Sequence, residues 1–472
     1  MFPLSPVRFA LFACAFAASL CAADVKSLGA RGDGQADDTA AIQKAVDAGG
    51  TVQFTTGTYK LTRTVTIDLD KTGFVTLAGD ATVRVIMAGA GPAFQFVGTH
   101  TTGSAAPSQF KPNVWDRQRS PSVIGLEIVG RHAEADGIAA RGTMQLTIER
   151  VVIRETRNAI RLHERNRNVL ISDVHLYNNR GIGIFYDAVN LHQSNITGSH
   201  ISYNAGGGVV VRGGDVRNIH IGNCDIESNM SPDTPATANI LIDSAGGSVG
   251  EVAITGCTIQ HNNPSPDSAN IRILGAGVTG TTNKTPTNEG NVTITGNVLS
   301  DVQVNVHLKG VRDVTLTGNT FWMGFAHDLL VEDSSNVVVG PNAFDRNPRY
   351  EYTRTSARGG VAFYRSRDCT LTGLHLNGVH HHEAALLLED CTRFSATNGS
   401  ILDCDGVGLR VKNTTLSRIS GWLIRDDRAA NTAPSLQVTG GGKNQIVDNT
   451  LDRPSQIDRT SGLSRNNDIV TK

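Results

Sequence analysis

Charge of one sign is missing from this chain: its 472 residues carry 43 Lys and Arg against 44 Asp and Glu, a formal net charge of −1. That balance lacks the basic footprint of a nucleic-acid-binding protein and argues against such a partner. Aromatic residues are scarce, 5% of the total, while glycine is abundant at 50, a composition that suits many tight turns. Beyond residue 23 no segment is long and apolar enough to span a bilayer. Of seven cysteines, Cys14 and Cys21 fall in the N-terminal segment. The rest are odd in number and show neither CxxC nor Cys/His pairs at metal spacing, which argues against a disulfide scaffold and structural zinc.

What the chain does contain begins with Met1–Ala23, which has one cation (Arg8), an apolar run from Phe9 to Leu20, and small residues at Cys21 and Ala23. This reads as an export signal, too short and wrongly flanked for a transmembrane helix. A lipoprotein-type cut before Cys21 is the alternative, disfavoured by the bulky Leu20. The mature chain is expected to be secreted or periplasmic.

Three decapeptides repeat one pattern: Asn291–Ser300 (NVTITGNVLS), Asp313–Trp322 (DVTLTGNTFW) and Asn336–Asp345 (NVVVGPNAFD). Their last asparagines, Asn297, Asn319 and Asn342, recur every twenty-odd residues amid β-branched alternation, the mark of a solenoid of short strands. The period runs from about Val123 to Val447, so one elongated domain over residues 24–453 is expected, followed by a polar tail, 454–472. Cys224 and Cys257 occupy the coil position that the asparagines fill later, and Cys369 and Cys391 recur at matching points. Small buried side chains in an interior column explain them better than a bridge.

Asp24–Ile67 carries a turn at Gly32–Gly34, a helix capped by Asp37 or Asp38 with an Ile42/Ala45/Val46 stripe, a stop at Gly49–Gly50, then alternating strands. Such a helix would cover the open end of the first coil. The stretch Gly29–Ala30, Gly32–Asp33–Gly34, Asp37–Asp38–Thr39, Ala41–Ile42–Gln43, Gly49–Gly50, Val52, Phe54, Gly57 and Tyr59 resembles the opening of the pectate-lyase-like superfamily. That resemblance implies an all-β fold, a right-handed parallel β-helix with a short N-terminal capping helix, shared by polysaccharide lyases, glycoside hydrolases and phage tailspikes. It also implies that Asp33, Asp37 and Asp38 serve the cap.

Aligning the coils on an inward residue gives the anchors Ile138, Ile160, Ile184, Val209, Ile240, Ile271, Val306, Leu329, Val361, Leu386 and Val407. Three places on, the side chain faces outward: Arg141, His163, Asp187, Arg212, Asp243, Leu274, Lys309, Glu332, Tyr364, Glu389, Arg410. A charge ladder pairing along the stack is one explanation. The N-terminal part also fits proton abstraction beside a uronate, which needs a cation and a base. There His163 would act as base or acid, Asp187 would orient it or bind a cation (calcium is a candidate), and Arg212 and Arg141 would hold acid groups. Asp136 joins them as a carboxylate of the turn, and Asp243 and Arg180 as substrate contacts. The superfamily resemblance favours this turn-to-strand edge as the site.

Turns Asn229–Asn239, His261–Asn270, Asp345–Gly360 and Asp426–Pro434 are lengthened, as cleft walls often are. The third offers Arg349 and Tyr350 as sugar contacts. His380–His381–His382–Glu383 is better read as outward turn residues than as a metal cluster. The Gly-His-Gly and Arg-Ile-Lys of polygalacturonase-type members are absent, and the calcium cluster of the main pectate lyases is not clearly placed. The expectation is a polysaccharide lyase acting on an anionic glycan. An inverting hydrolase using two of Glu134, Asp136, Asp187 and Asp243, or a non-catalytic glycan-binding solenoid, are the alternatives.

Overall fold

In a computed structural model the described residues are 23–101, 110–244, 247–275, 290–347, 349, 357–428 and 431–470. Residues 1–22, which carry the expected export signal, and Tyr350 lie outside them. The chain is a right-handed parallel β-helix in which each coil contributes strands to three faces. Every strand pairs in parallel with its equivalent one coil on. Alternation does the folding: in Val302–Lys309, for example, Val306 and Leu308 turn into the core while His307 and Lys309 face outward. One continuous core runs from Val25 to Leu451. No coil encloses enough apolar surface alone, so stability comes from stacking.

The capping helix is Thr39–Asp47, with Ile42, Ala45 and Val46 buried as its stripe requires. Gly49 follows at φ +75°, and a Cβ there would lie 2.7 Å from the Thr72 carbonyl oxygen, so glycine is needed. The three signature aspartates are structural. Asp38 accepts the backbone N–H groups of Arg31 (2.7 Å) and Gly32 (3.2 Å). Asp33 accepts those of Gln35 and Ala36. Asp37 accepts Thr39 N–H and the Thr62 hydroxyl; these bonds outweigh burial and bring its carboxyl down to about 2.

Two amide ladders hold the turns. In one, each side-chain amide donates to the next carbonyl oxygen: Asn179 to Asn204 (2.8 Å), Asn204 to Asn229 (2.7 Å), Asn229 to Asn239 (2.9 Å), Asn239 to Asn270 (2.8 Å), Asn270 to Asn305 (2.8 Å) and Asn305 to Asp328 (2.8 Å). The other runs through the repeat asparagines: Asn297 Nδ2 donates to Asn319 and Asn319 to Asn342, each at 3.0 Å. Cys257 N–H donates to Asn297 (2.9 Å), and Cys224 is in register with Cys257, so these two extend that column as expected. Cys369 and Cys391 do not match one another: Thr370 pairs with Ser395 and Arg367 with Thr392, which puts the two thiols at different points of their coils. Cys224, Cys257, Cys369, Cys391 and Cys404 are all buried free thiols.

The first face follows the anchors in register from Ile138 to Leu386. The last step slips: Leu386 pairs with Leu409, while Val407 pairs with Ala384. Val407, Leu409 and Val411 alternate identically, so a period of two cannot choose among them. Lys412, not Arg410, therefore follows Glu389 in the outward column. The chain after Arg453, expected as a tail, forms one more rung: Gln456–Ile457, Gly462–Arg465 and Asp468–Ile469 pair with the preceding coil. Its polarity suits the end of a stack, which needs a water-facing cap.

Candidate active site

Parallel rungs stand about 4.8 Å apart, and the first face brings Arg141, His163, Asp187, Arg212 and Asp243 into one outward column on consecutive coils. Their roles differ from expectation. Asp187 does not orient His163; it accepts from Arg161, with Nε at 2.8 Å. A guanidinium on that carboxylate also leaves it a poor cation ligand. His163 is half-buried, its Nδ1 3.6 Å from Glu164 Oε1. Burial first, then the neighbouring Arg161, hold its imidazole below the usual range, so it is neutral at neutral pH. Arg141 reaches Glu164 at 3.4 Å. Arg212 is exposed, lies 5.9 Å from the Phe185 ring centroid, and has no carboxylate partner among the described residues.

Two further predicted residues are spent on structure. Asp136 is buried, gripped by Arg157 through Nε (3.0 Å) and a terminal nitrogen (2.7 Å), and it accepts Asn158 N–H. A carboxylate so saturated cannot serve as a catalytic acid or base. Arg180 donates to the backbone carbonyls of Glu155 and His132, each at 2.6 Å, and so clamps two turns. Arg349 is exposed on the loop before the Val361 rung. That rung is seven pairings from Ile160, roughly 34 Å, so Arg349 does not join the His163 group.

The residue immediately after each anchor also faces outward, and this second column carries groups the alignment passed over: Arg161, Arg272, His307 and Arg410. Midway it is apolar, with Val210 and Leu241 packed against Ile182, Ala238, Ala269, Phe185 and Leu274. Arg272, itself buried, ties two of the lengthened loops onto the face through Thr237 O (3.3 Å) and Asp267 O (2.7 Å).

Beyond this strip lies a second polar centre, five rungs from His163. His307 Nδ1 accepts from Arg272 Nε (3.2 Å), and its Nε2 bonds Glu332 (2.9 Å), which fixes the tautomer. Burial would raise the Glu332 carboxyl, but His307, Lys309 and Arg365 hold it low. The Tyr364 hydroxyl, between Glu332 and Glu389 in register, is raised by burial and by Glu389. His380, His381 and His382 point apart: His382 Nε2 reaches Ala326 O (2.7 Å), while His381 is exposed.

A concavity of about 600 Å³ lies on the second face, where Gln145, Asn168, Gln193, Asn195, Asn218 and His220 are among its lining. No helix among the described residues is long and apolar enough to cross a membrane.

Three family models match successive stretches: rhamnogalacturonase A/epimerase, pectate lyase-like, over residues 22–125; the right-handed β-helix region over 113–226; and periplasmic copper-binding protein (NosD) over 240–468. The chain is a right-handed parallel β-helix whose opening stretch is pectate-lyase-like. No curated protein matches it. Among solved structures, this β-helix is similar to the A-module of the Azotobacter vinelandii mannuronan C-5 epimerase AlgE6, with 14% identity, 95% of this chain and 100% of that chain covered, and a TM-score of 0.40. It is also similar to a family 28 exopolygalacturonase of Yersinia enterocolitica, with 12% identity, 84% and 77% covered, and a TM-score of 0.48. These distant likenesses concern the coil and say nothing of individual side chains.

Proposed function

We propose that this protein is exported and cleaves an anionic, uronate-containing polysaccharide by β-elimination on the first face, around His163. The observation that carries the reading is a neutral imidazole beside the guanidiniums of Arg141 and Arg161, with Arg212, which has no carboxylate partner among the described residues, two rungs along the same column. In this mechanism Arg212 neutralises the uronate carboxylate and so acidifies the C5 proton, while Arg141, three rungs away, holds the acid group of a neighbouring sugar. His163 Nε2 takes that proton, the C4–C5 double bond forms, the C4–O4 bond breaks, and the departing oxygen is protonated from solvent. Arg161 and Asp187 fix each other and hold the imidazole's surroundings. The periplasmic family matched by the C-terminal half and the N-terminal signal sequence both support export.

A second reading is hydrolysis at the distal centre. It draws on Tyr364, whose rung lies between those of Glu332 and Glu389, because two separated carboxylates are the usual hydrolytic pair. Its weakness is that His307 and Arg365 already engage Glu332, and Lys412 engages Glu389. Digestion of pectin, alginate, glycosaminoglycan and sulfated algal panels, with and without calcium, separates these readings. Elimination yields an ultraviolet-absorbing unsaturated uronate at each cleavage; hydrolysis yields reducing ends alone. Tight binding without either product is the outcome for a glycan-binding solenoid.

A further inference from the structure

We infer that His200, Asp225 and Glu227, on the third face, form a binding site for a divalent transition-metal ion of the zinc class. His200 and Asp225 are paired partners on adjacent rungs, and Glu227 stands two residues beyond Asp225 on the same outward side. One donor atom from each lies within 4.8 Å of the other two. Donors of a tetrahedral zinc stand about 3.4 Å apart, given metal–ligand bonds of roughly 2.1 Å. Only a small rotation of side chains would therefore close the site. A fourth donor is at hand, since His261 Nε2 lies 3.6 Å from Glu227 Oε2.

Two independent observations separate this cluster from an ordinary surface charge pair. Many carboxylates elsewhere in the stack meet guanidinium: Glu127 with Arg84 and Arg154, Asp136 with Arg157, Asp187 with Arg161, Asp333 with Arg365. Asp225 and Glu227 have histidines as their only ion-pair partners among the described residues. Moreover, Asp225 Oδ1 is buried with no hydrogen-bond partner, while its Oδ2 is 2.6 Å from His200 Nε2. A cation would satisfy that stranded acceptor. The mixed imidazole and carboxylate set favours zinc, copper or nickel over calcium, which takes oxygen ligands. Ligands drawn from two adjacent coils would clip those coils together.

The test is calorimetric titration of the full chain with Zn2+, together with anomalous diffraction from crystals grown with it. One equivalent should bind, with the anomalous peak between His200 and Asp225. His200→Gln and Asp225→Asn should each weaken binding at least about a hundredfold, beyond the loss usual for outer-shell partners. His381→Gln, in the other histidine tract, should leave binding unchanged. Should either ligand variant fold poorly, Glu227→Gln and the position of the wild-type peak decide. No binding up to about 1 mM Zn2+, a peak elsewhere, or affinity surviving the ligand substitutions would overturn the assignment.

Discussion

Asp328→Asn should make the protein more stable at neutral pH, and the reason lies at the end of an amide ladder. Asp328 is buried, and one of its oxygens accepts from Asn305 Nδ2 (2.8 Å) and Gly324 N–H (3.1 Å). Burial raises its carboxyl from 3.8 to about 6. Because the folded value is the higher one, the fold disfavours the ionised form. The cost is absent below about pH 3.8, grows as pH rises toward 6, and is complete above it. A rise of about two pH units, at 1.36 kcal/mol each, makes the neutral-pH cost about 3 kcal/mol. Asparagine keeps the accepting oxygen and removes the charge. Its new N–H₂ can face a cavity of about 20 Å³ beside Asp328, Phe344 and Val379, room for one water. Urea denaturation of both proteins at about pH 7.5 and about pH 4 measures the difference. The substitution should stabilise by up to about 3 kcal/mol at the higher pH and by little at the lower. A variant less stable at neutral pH, or a difference indifferent to pH, would refute the reasoning.

Other outcomes follow from the same geometry. Asn204→Ala should cost about 1–3 kcal/mol in denaturant unfolding, because the buried Asn179 amide loses one of its two acceptors. Arg212→Ala should slow turnover at least about a hundredfold while the melting temperature hardly moves, since the side chain is exposed. Tyr364→Phe and Glu389→Ala, well along the stack, should leave elimination nearly intact in the same assay. His163 must be neutral to act as base, and its imidazole titrates below the usual range. The acid limb of the kcat/KM profile should therefore lie below about pH 6.5; a limb above that value would remove His163 as the base.

The outward column could be read from sequence because anchors such as Ile160, Ile184 and Val209 recur once per coil, each followed two places on by a second inward residue, Leu162, Tyr186 and Val211. Where three equivalent positions followed one another, at Val407, Leu409 and Val411, alternation fixed the face but not the register. The column beginning Arg161 obeys the same alternation and was legible in principle. The preference for the third residue after each anchor left His307 and Arg272 unread. Partner choice was beyond the pattern. Asp187 lies in register with His163 yet pairs with Arg161, because a long guanidinium side chain reaches diagonally across a rung. Asp136 looked like a free turn carboxylate until Arg157, on the next coil, closed over it. The last rung escaped notice because parallel pairing uses backbone groups that polar sequence does not advertise.

The most direct measurement is the rate at which ultraviolet-absorbing unsaturated uronate appears when wild type and His163→Ala digest the polyuronate that wild type cleaves best. The account predicts absorbing product from wild type and a loss of at least about a hundredfold in the variant, with an unchanged melting temperature. Cleavage products without that absorbance, or absorbance formed equally fast by His163→Ala, would contradict it.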